Sequence, residues 1–413
     1  MSKLYSVVHK SIQNVPVQVL ANMLRRKMEE QGIEHELDEV SQSLAEHLIN
    51  KNTEPFTWDD GKDSPNQTFN LSFSDDEIAE LKQHIETVIE ELPEALNTAV
   101  RKTARQRARD LRREWPYREA SARAEVQHFR DNLNIRWGKG LRALKMLLLG
   151  GREIGDDRLS ALQRSKAKKN LVKREVLIIL HVNACRVMNE IILLLESGFS
   201  DGALARWRTL YEITVVAEVI AAGNDDLANR YLEHSSVAAK KEVDLEERHG
   251  RSRDKLEIEW VNQRYSQAID LFGEEFRHDY GWASQILGKK KPSFRDLEEA
   301  ASMKGLPPEY KAASYAVHAG VTGMRWNFAQ FRDDGPPVPG ASNAGLDFPA
   351  KQAAFTFTRV TALLIHKSRR LENLVAINML LEIRDSAERE FDRAARKLQE
   401  DEDAAQKLRW DSS

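Results

Sequence analysis

The alternation of apolar and polar positions is clearest between Leu171 and Ala222, where it predicts two helices. The segment LVKREVLIILHVNACRVMNEIILLLESG carries an apolar stripe so wide that, as a helix, it would be buried on most of its circumference. A break follows at Gly198. Ser200 is then the predicted N-cap of DGALARWRTLYEITVVAEVIAAG, a helix that we expect to end in a left-handed cap at Gly223. We expect these two helices to form an antiparallel hairpin.

Polar residues interrupt the apolar pattern of this hairpin. A buried polar or charged side chain is costly unless it has a partner. Arg186 with Glu190, and Arg208 with Glu212, are spaced four residues apart and can therefore share a helix face. Two interpretations stay open: internal ion pairs that fix the helix register, or a polar pocket inside a helical bundle.

The remaining segments are also predicted to be helical. Residues 1 to about 50 predict a helical hairpin in which Gly32 ends the first helix, and a loop rich in Asn, Asp and Pro follows, with at most a short β-hairpin near residues 56–71. Ser74 and Glu77 form a capping box at the start of a long helix, and a second helix from about Glu119 is predicted to close at Gly150 and Gly151.

These elements predict an all-α fold, a multi-helix bundle with long helices and a helical N-terminal extension. We divide the chain into residues 1–72, a helical hairpin plus loop; residues 73–150, long helices with a basic stretch at 101–125; residues 151–380, the bundle; and residues 381–413, a charged helix end and tail.

Composition narrows the class of protein. The chain has 413 residues and a formal net charge of -3, so its overall charge favours neither nucleic acid nor membrane. The N-terminus lacks the apolar run of a secretory signal, and the most apolar window, Val176 to Leu195, contains several polar residues. Cys185 is the only cysteine. We therefore expect a soluble cytoplasmic protein that does not bind a membrane.

Charged residues are distributed unevenly along the chain. Residues 101–125 hold nine Lys or Arg against four Asp or Glu, and residues 158–174 hold seven Lys or Arg and no acid. Such runs can follow a phosphate backbone, and they also occur as solvated helix surfaces. The candidate nucleic-acid-binding residues are Arg105, Arg109, Arg112, Arg113, Lys166, Lys168 and Lys169.

No sequence motif in the chain identifies a particular reaction. A Walker A loop, a dinucleotide glycine fingerprint and a zincin His-Glu-x-x-His are all absent, so we expect neither cofactor nor metal. The remaining candidate catalytic residues are His318, Ser314, Arg208, Glu212 and His234. A His near a carboxylate and a hydroxyl can transfer protons, and an Arg can hold an anion. The alternative is that these side chains only stabilise the core.

Four segments carry a resemblance to a known family: GFSDGALARWRTLYE, ANRYLEHSSVAAKK, YGWA and EYKAASYAVHAG. Over roughly residues 120–380 the chain resembles bacterial proteins with domain of unknown function 5677 (DUF5677). The family pattern of a glycine step, an Arg-x-x-x-Glu helix and a Ser-x-x-x-His helix falls on Gly198, Arg208, Glu212, Ser314 and His318. The resemblance implies a mostly helical bundle without an established activity and an association with defence or toxin-like roles.

Two hypotheses of different classes follow. In the first, the protein is an RNase-like enzyme that acts on a nucleic acid or nucleotide, with His318 as acid/base, Arg208 as anion holder and Glu212 as the orienting group. In the second, it is a non-catalytic helical interaction module, a homodimer or scaffold, in which the same residues form a buried network. RNA, a nucleotide and a second copy of the chain are thus the expected partners.

Overall fold

In the part of the chain that it describes, the computed structural model is built from α-helices and two short 3₁₀ helices, which confirms the predicted all-α fold. It describes residues 2–33, 36–50, 54–59, 68–165, 169–251, 253–303, 307–317, 321, 339–365 and 370–411. No β-strand occurs within these ranges. The part of the expected β-hairpin that is described, residues 56–59 and 68–71, has no regular secondary structure.

Thirteen α-helices have described bounds. They are α1 (Ser2–Glu30), α2 (Leu37–Ile49), α3 (Asp75–Gln163), α4 (Leu171–Glu196), α5 (Ser200–Ala222), α6 (Asp225–Glu233), α7 (Ser235–Arg248), α8 (Lys255–Phe272), α9 (Ser284–Leu287), α10 (Phe294–Ala300), α11 (Pro307–Val317), α12 (Asp347–Ala362) and α13 (Leu371–Asp411). Two 3₁₀ helices, Glu274–Arg277 and Gly281–Ala283, lie between α8 and α9. The chain forms two compact units, residues 1–121 and 122–413, and the boundary falls within α3.

In the first unit, α1 and α2 pack against each other as the sequence predicts. Gly32 follows α1 with a φ of 78°, a conformation that glycine adopts without steric cost. The N–H of the next residue, Ile33, donates to the carbonyl of Met28 at 3.0 Å, which is the bond of a Schellman cap. A small core holds the pair together and consists of Val17, Ala21, Leu24 and Ala45.

Helix α3 begins at the predicted capping box. The N–H of Ser74 donates to Glu77 Oε2 at 2.8 Å, and the N–H of Glu77 donates to Ser74 Oγ at 3.3 Å. The helix then continues for 89 residues, so the predicted second start near Glu119 and the predicted end at Gly150 and Gly151 are wrong. A Cβ on Gly151 would lie 2.6 Å from ring atoms of the buried Phe357, so this glycine allows close packing instead of ending the helix.

The predicted hairpin of α4 and α5 is confirmed and forms the centre of the second unit. Gly198 makes the break, with a φ of 78°, and its carbonyl accepts a hydrogen bond of 2.9 Å from the N–H of Ser342. Two details of the prediction are wrong. Ser200 is the buried first residue of α5, with Phe199 at the N-cap position, and Gly223 has an extended conformation, with φ -84° and ψ -159°.

The helices α11, α12 and α13 complete the packing around this hairpin. Helices α11 and α12 contact α5, and α13 packs on α12. Trp207 on α5 is fully buried and donates through Nε1 to Thr356 Oγ1 on α12 at 2.9 Å. Each buried polar atom of this contact therefore has a partner, as burial requires.

Helix α4 is long and apolar enough to cross a membrane on length and composition alone, and no other helix within the described ranges is. Its most apolar window is 61% buried inside the structure. A core helix of this kind passes the same test, so the observation is weak evidence for a membrane span.

Candidate functional site

Four of the polar side chains meet where α11 packs on α5. Arg208 and Glu212 come from α5, with Nε of Arg208 3.1 Å from Oε1 of Glu212. Tyr310 and Ser314 come from α11: Arg208 donates through Nε to the Tyr310 hydroxyl at 3.0 Å and through Nη1 to Ser314 Oγ at 3.0 Å. The Tyr310 hydroxyl donates to Oε1 of Glu212 at 2.6 Å. We call these four residues the α5–α11 cluster.

The chemistry of the cluster keeps Arg208 charged and Tyr310 neutral. Burial alone would lower the pKa of Arg208, but its hydrogen bond to Glu212 and its interactions with Tyr310 outweigh burial and raise that pKa. Burial and the neighbouring Glu212 raise the pKa of the Tyr310 hydroxyl far above its ordinary value. The guanidinium carbon of Arg208 also lies 4.6 Å from the centre of the Tyr310 ring, a cation–π distance.

The cluster is partly open to solvent. The Arg208 side chain is 27% exposed and that of Glu212 is 42% exposed. Within the described part of the chain, Arg208 uses Nε and Nη1 for its hydrogen bonds, and Nη2 has no partner there. A guanidinium that is held through Nε and Nη1, with Nη2 unengaged, is suited to bind an oxygen of an anionic group.

Aromatic rings support the cluster from the core side. The rings of Tyr211 and Tyr310 lie 5.1 Å apart between centres, and Phe294 lies 5.5 Å from Tyr310. Tyr211 is fully buried and donates its hydroxyl to Glu298 Oε1 at 2.8 Å. This packing limits the movement of Tyr310 and therefore of Arg208.

His234 lies at the junction of α6 and α7 and bonds a different part of the chain. Its Nε2 is 2.9 Å from the carbonyl oxygen of His278 and 3.1 Å from that of Phe276. Because a carbonyl only accepts, Nε2 carries the proton. Burial lowers the pKa of His234, which favours the neutral ring. Its described contacts hold the 3₁₀ segment in place and do not include Arg208, Glu212 or Ser314.

The other predicted site residues are distributed along the chain. His318, Lys166 and Lys168 lie outside the described residues. Lys169 is exposed in the turn before α4. The predicted residues Arg105, Arg109, Arg112 and Arg113 are exposed on the surface of α3, and Arg113 pairs with Asp110 at 3.2 Å.

Of the two ion pairs predicted within the helices of the hairpin, one forms and the other does not. The pair of Arg208 and Glu212 is confirmed. Glu190 pairs instead with Arg206 across the hairpin at 2.5 Å, and Arg186 is exposed, so the expected pair within α4 is wrong. The antiparallel packing places a residue of α5 closer to Glu190 than its own helix neighbour, which spacing along one helix cannot show.

His181 is a buried polar residue of the hairpin, with 1% of its surface exposed. Its Nε2 lies 3.1 Å from Thr361 Oγ1, and Thr361 in turn donates to the carbonyl of Phe357 at 2.8 Å. Because the Thr361 hydroxyl donates its only proton to that carbonyl, Nε2 of His181 is the donor in the bond between His181 and Thr361. Burial lowers the pKa of His181 to about 4. The side chain is thus a neutral, hydrogen-bonded core residue.

Two cavities of the protein lie away from the cluster. Two cavities of about 240 and 420 Å³ are lined by described residues, and neither includes a member of the α5–α11 cluster. In the larger one, Lys240 pairs with Asp244 at 2.8 Å and Lys241 pairs with Asp279. Within the described ranges, no three His, Cys, Asp or Glu side chains come together to hold a metal ion.

The fold and this cluster define an all-α helical-bundle protein with a partly exposed polar site between two core helices. Residues 174–336 match the model of a family of unknown function, DUF5677, which confirms the resemblance over that segment. The matched segment contains Arg208, Glu212, His234, Ser314 and His318. No curated protein and no solved structure matches the chain.

Proposed function

We propose that the chain binds a phosphate-bearing ligand, a nucleotide or an RNA, at the α5–α11 cluster. In this proposal Arg208 holds a phosphate oxygen through Nη2, and Ser314, which accepts from Nη1 and donates to the carbonyl of Tyr310 at 3.2 Å, keeps the guanidinium in place. His318, four residues after Ser314 in the sequence, is the proposed acid/base for phosphodiester cleavage. The defence or toxin-like role stays a prediction from the family resemblance.

The orientation of Arg208 is the observation that carries this proposal. Glu212 and Tyr310 hold its Nε and Ser314 holds its Nη1, while the side chain keeps 27% of its surface exposed. These bonds fix the direction of the charge at the surface, where a phosphate can reach it.

The test compares the wild type with Arg208→Gln, Ser314→Ala and His318→Ala. Each protein is mixed with labelled total RNA, tRNA, single-stranded DNA and a set of nucleotides, and both binding and cleavage are measured. We expect Arg208→Gln to weaken binding about 10-fold to 100-fold, the value of a hydrogen bond to a charged group. We expect His318→Ala to bind normally and to lose cleavage.

Arg359 provides a matched control. It is 28% exposed, pairs with Glu218 at 2.5 Å and donates through Nη2 to the carbonyl of Ala301 at 2.8 Å, so it joins helices in the way Arg208 does. We expect Arg359→Gln to lower the melting temperature while leaving ligand binding unchanged. Equal losses of binding in Arg208→Gln and Arg359→Gln, in step with their melting temperatures, would contradict the proposal.

The second candidate function is a non-catalytic helical interaction module. The closed hydrogen-bond ring of the α5–α11 cluster is the observation in its favour, because each of the four residues already has a partner. In that case the wild type binds none of the probes, and Arg208→Gln changes only stability.

A further inference from the structure

Part of α3 presents apolar side chains to solvent. Val100 is 55% exposed, Leu111 52% and Trp115 54%. Between Asn97 and Arg109 every side chain is exposed, including Ala104 and Ala108. Exposed apolar side chains that recur along one helix mark a surface for another helix, whereas scattered ones need no explanation.

The apolar positions of this segment recur with a period of 11 residues. Ile78, Ile89, Val100 and Leu111 are spaced by 11, and so are Ala104 and Trp115. A repeat of 11 over three turns keeps these positions on one side of a helix. From Ile78 to Trp115 they span about 55 Å, at a rise of 1.5 Å per residue.

Charge divides the same segment into two halves of opposite sign. Residues 75–94 contain eight Asp or Glu and one Lys, and residues 101–118 contain eight Lys or Arg and two acids. Glu86, Glu90 and Glu94 form an exposed row four residues apart, and the arginines Arg101, Arg105 and Arg109 form another. Like charges at this spacing repel along a single helix, so each row gains from a partner of opposite sign.

An antiparallel second copy fits both the apolar stripe and the division of charge along the segment. In the proposed register, each residue lies opposite the residue of the second copy for which the two residue numbers add up to 192 or 193. Ile78 then lies opposite Trp115, Leu81 opposite Leu111 and Ile85 opposite Ala108. The acidic half of one copy, residues 75–94, then lies beside the basic half, residues 101–118, of the other.

We propose that residues 75–118 of α3 pair antiparallel with the same segment of a second copy of this chain, with the two-fold axis near Leu96. A parallel pair would place acidic rows against each other and basic rows against each other. A nucleic acid would use the arginine row but would be repelled by the glutamate row on the same edge of the helix. The second copy is the occupant for which both halves of the segment are favourable.

Charge reversal tests the proposal in the full chain. Variant A carries Arg101→Glu, Arg105→Glu and Arg109→Glu, and variant B carries Glu86→Lys, Glu90→Lys and Glu94→Lys. We expect the wild type to sediment at twice 47.2 kDa, and each variant alone to self-associate about 100-fold more weakly. An equimolar mixture of A and B should regain the dimer, because each acidic row again faces a basic one.

Cysteine crosslinking tests the direction of pairing. The double variant Ile85→Cys/Ala108→Cys should form a covalent dimer on mild oxidation, whereas Ala108→Cys alone should not. A parallel pair would crosslink Ala108→Cys to itself. Wild type is the control, since its only cysteine, Cys185, is buried.

Three results would overturn the proposal: a monomeric wild type, dimers that persist in both A and B, or a mixture of A and B that stays monomeric. If A loses RNA binding and B retains it while all proteins are monomeric, the basic half of α3 is a nucleic-acid surface instead. None of these results depends on the α5–α11 cluster, so the proposed function is tested separately.

Discussion

Oε1 of Glu212 accepts a hydrogen bond of 2.6 Å from the hydroxyl of Tyr310, and this bond joins α5 to α11. The same oxygen lies 3.1 Å from Nε of Arg208, so a tyrosine and an arginine share one carboxylate oxygen. The hydroxyl of Tyr310 also accepts from Arg208 at 3.0 Å. Tyr310 therefore orients both charged residues of the candidate site.

Replacing Tyr310 with Phe should destabilise the protein and disorder the site. The change removes one hydrogen bond to each of Glu212 and Arg208 but keeps the ring, so we expect a loss of about 1–2 kcal/mol in the free energy of unfolding. Urea denaturation measures it. Tyr280→Phe is the control: its ring also packs on Phe294, and no described residue bonds its hydroxyl, so we expect a change below about 0.5 kcal/mol.

Ligand binding by the same pair of variants separates the two candidate functions. If the cluster binds phosphate, Tyr310→Phe should weaken binding because Arg208 loses its orientation. An unchanged affinity in Tyr310→Phe, together with the expected loss of stability, would mean that Tyr310 contributes only to packing.

Replacing Gly151 with Ala should destabilise the contact between α3 and α12. The added Cβ would lie 2.6 Å from the ring of Phe357, which is fully buried. Overpacking of this kind typically costs about 1–3 kcal/mol. Thermal melts should show a lower midpoint for Gly151→Ala.

Gly202 on α5 is the matched control for this change. A Cβ there would meet its nearest atom at 3.5 Å, an ordinary contact. Alanine also has the higher helix propensity, so we expect Gly202→Ala to be neutral or to stabilise by up to about 1 kcal/mol. Similar melting midpoints for the two variants would show that Gly151 is not needed for close packing.

The sequence predicts what local patterns determine and fails where a distant residue decides. The wide apolar stripe and Gly198 were sufficient for the α4–α5 hairpin, and the spacing of Arg208 and Glu212 was sufficient for their pair. Gly151 has the local signature of a helix end, but Phe357 on a distant helix makes it a packing position. No pattern within α3 contains that information.

The candidate site also combines residues that local spacing indicates with contacts that only the fold reveals. Arg208 and Glu212 could be paired from the sequence because they are four residues apart, whereas Ser314 lies 106 residues from Arg208 and was selected for its spacing to His318. Tyr310 was missed, although it lies four residues before Ser314 on the same face of α11, which is the signal that would have indicated it. His234 was grouped with them on residue type alone, and its two bonds to carbonyls place it in a different contact.

The stability of the protein should fall in acid through His181. Burial lowers the pKa of this imidazole to about 4, whereas the unfolded chain has the ordinary value near 6.5. Between these values the unfolded state binds more protons than the folded state. The stability that the protein gains from keeping His181 neutral is therefore fully present above about pH 6.5. It is lost as the pH falls towards 4, by up to about 3 kcal/mol in the free energy of unfolding.

Urea denaturation at several pH values between about 4.5 and 7.5 measures this loss, with His181→Leu as the comparison. Leucine does not titrate, so the variant should lose less stability than the wild type over that range. Carboxylates titrate in both proteins, and their effect cancels in the difference. Parallel curves for the two proteins would show that His181 is not the titrating group.

Replacing Lys173 with Met should weaken the junction of α4, α5 and α6. Lys173 is buried, and its Nζ donates to the carbonyl of Gly223 at 2.8 Å, just after the end of α5. A cation at a helix C-terminus also interacts favourably with the helix dipole. Methionine keeps the length of the side chain but removes the donor and the charge, so we expect a loss of about 1–3 kcal/mol in the free energy of unfolding.

Lys169→Met, four residues earlier and exposed, should change stability by less than about 0.5 kcal/mol. Equal urea midpoints for the two variants would mean that the contact with Gly223 does not stabilise the fold.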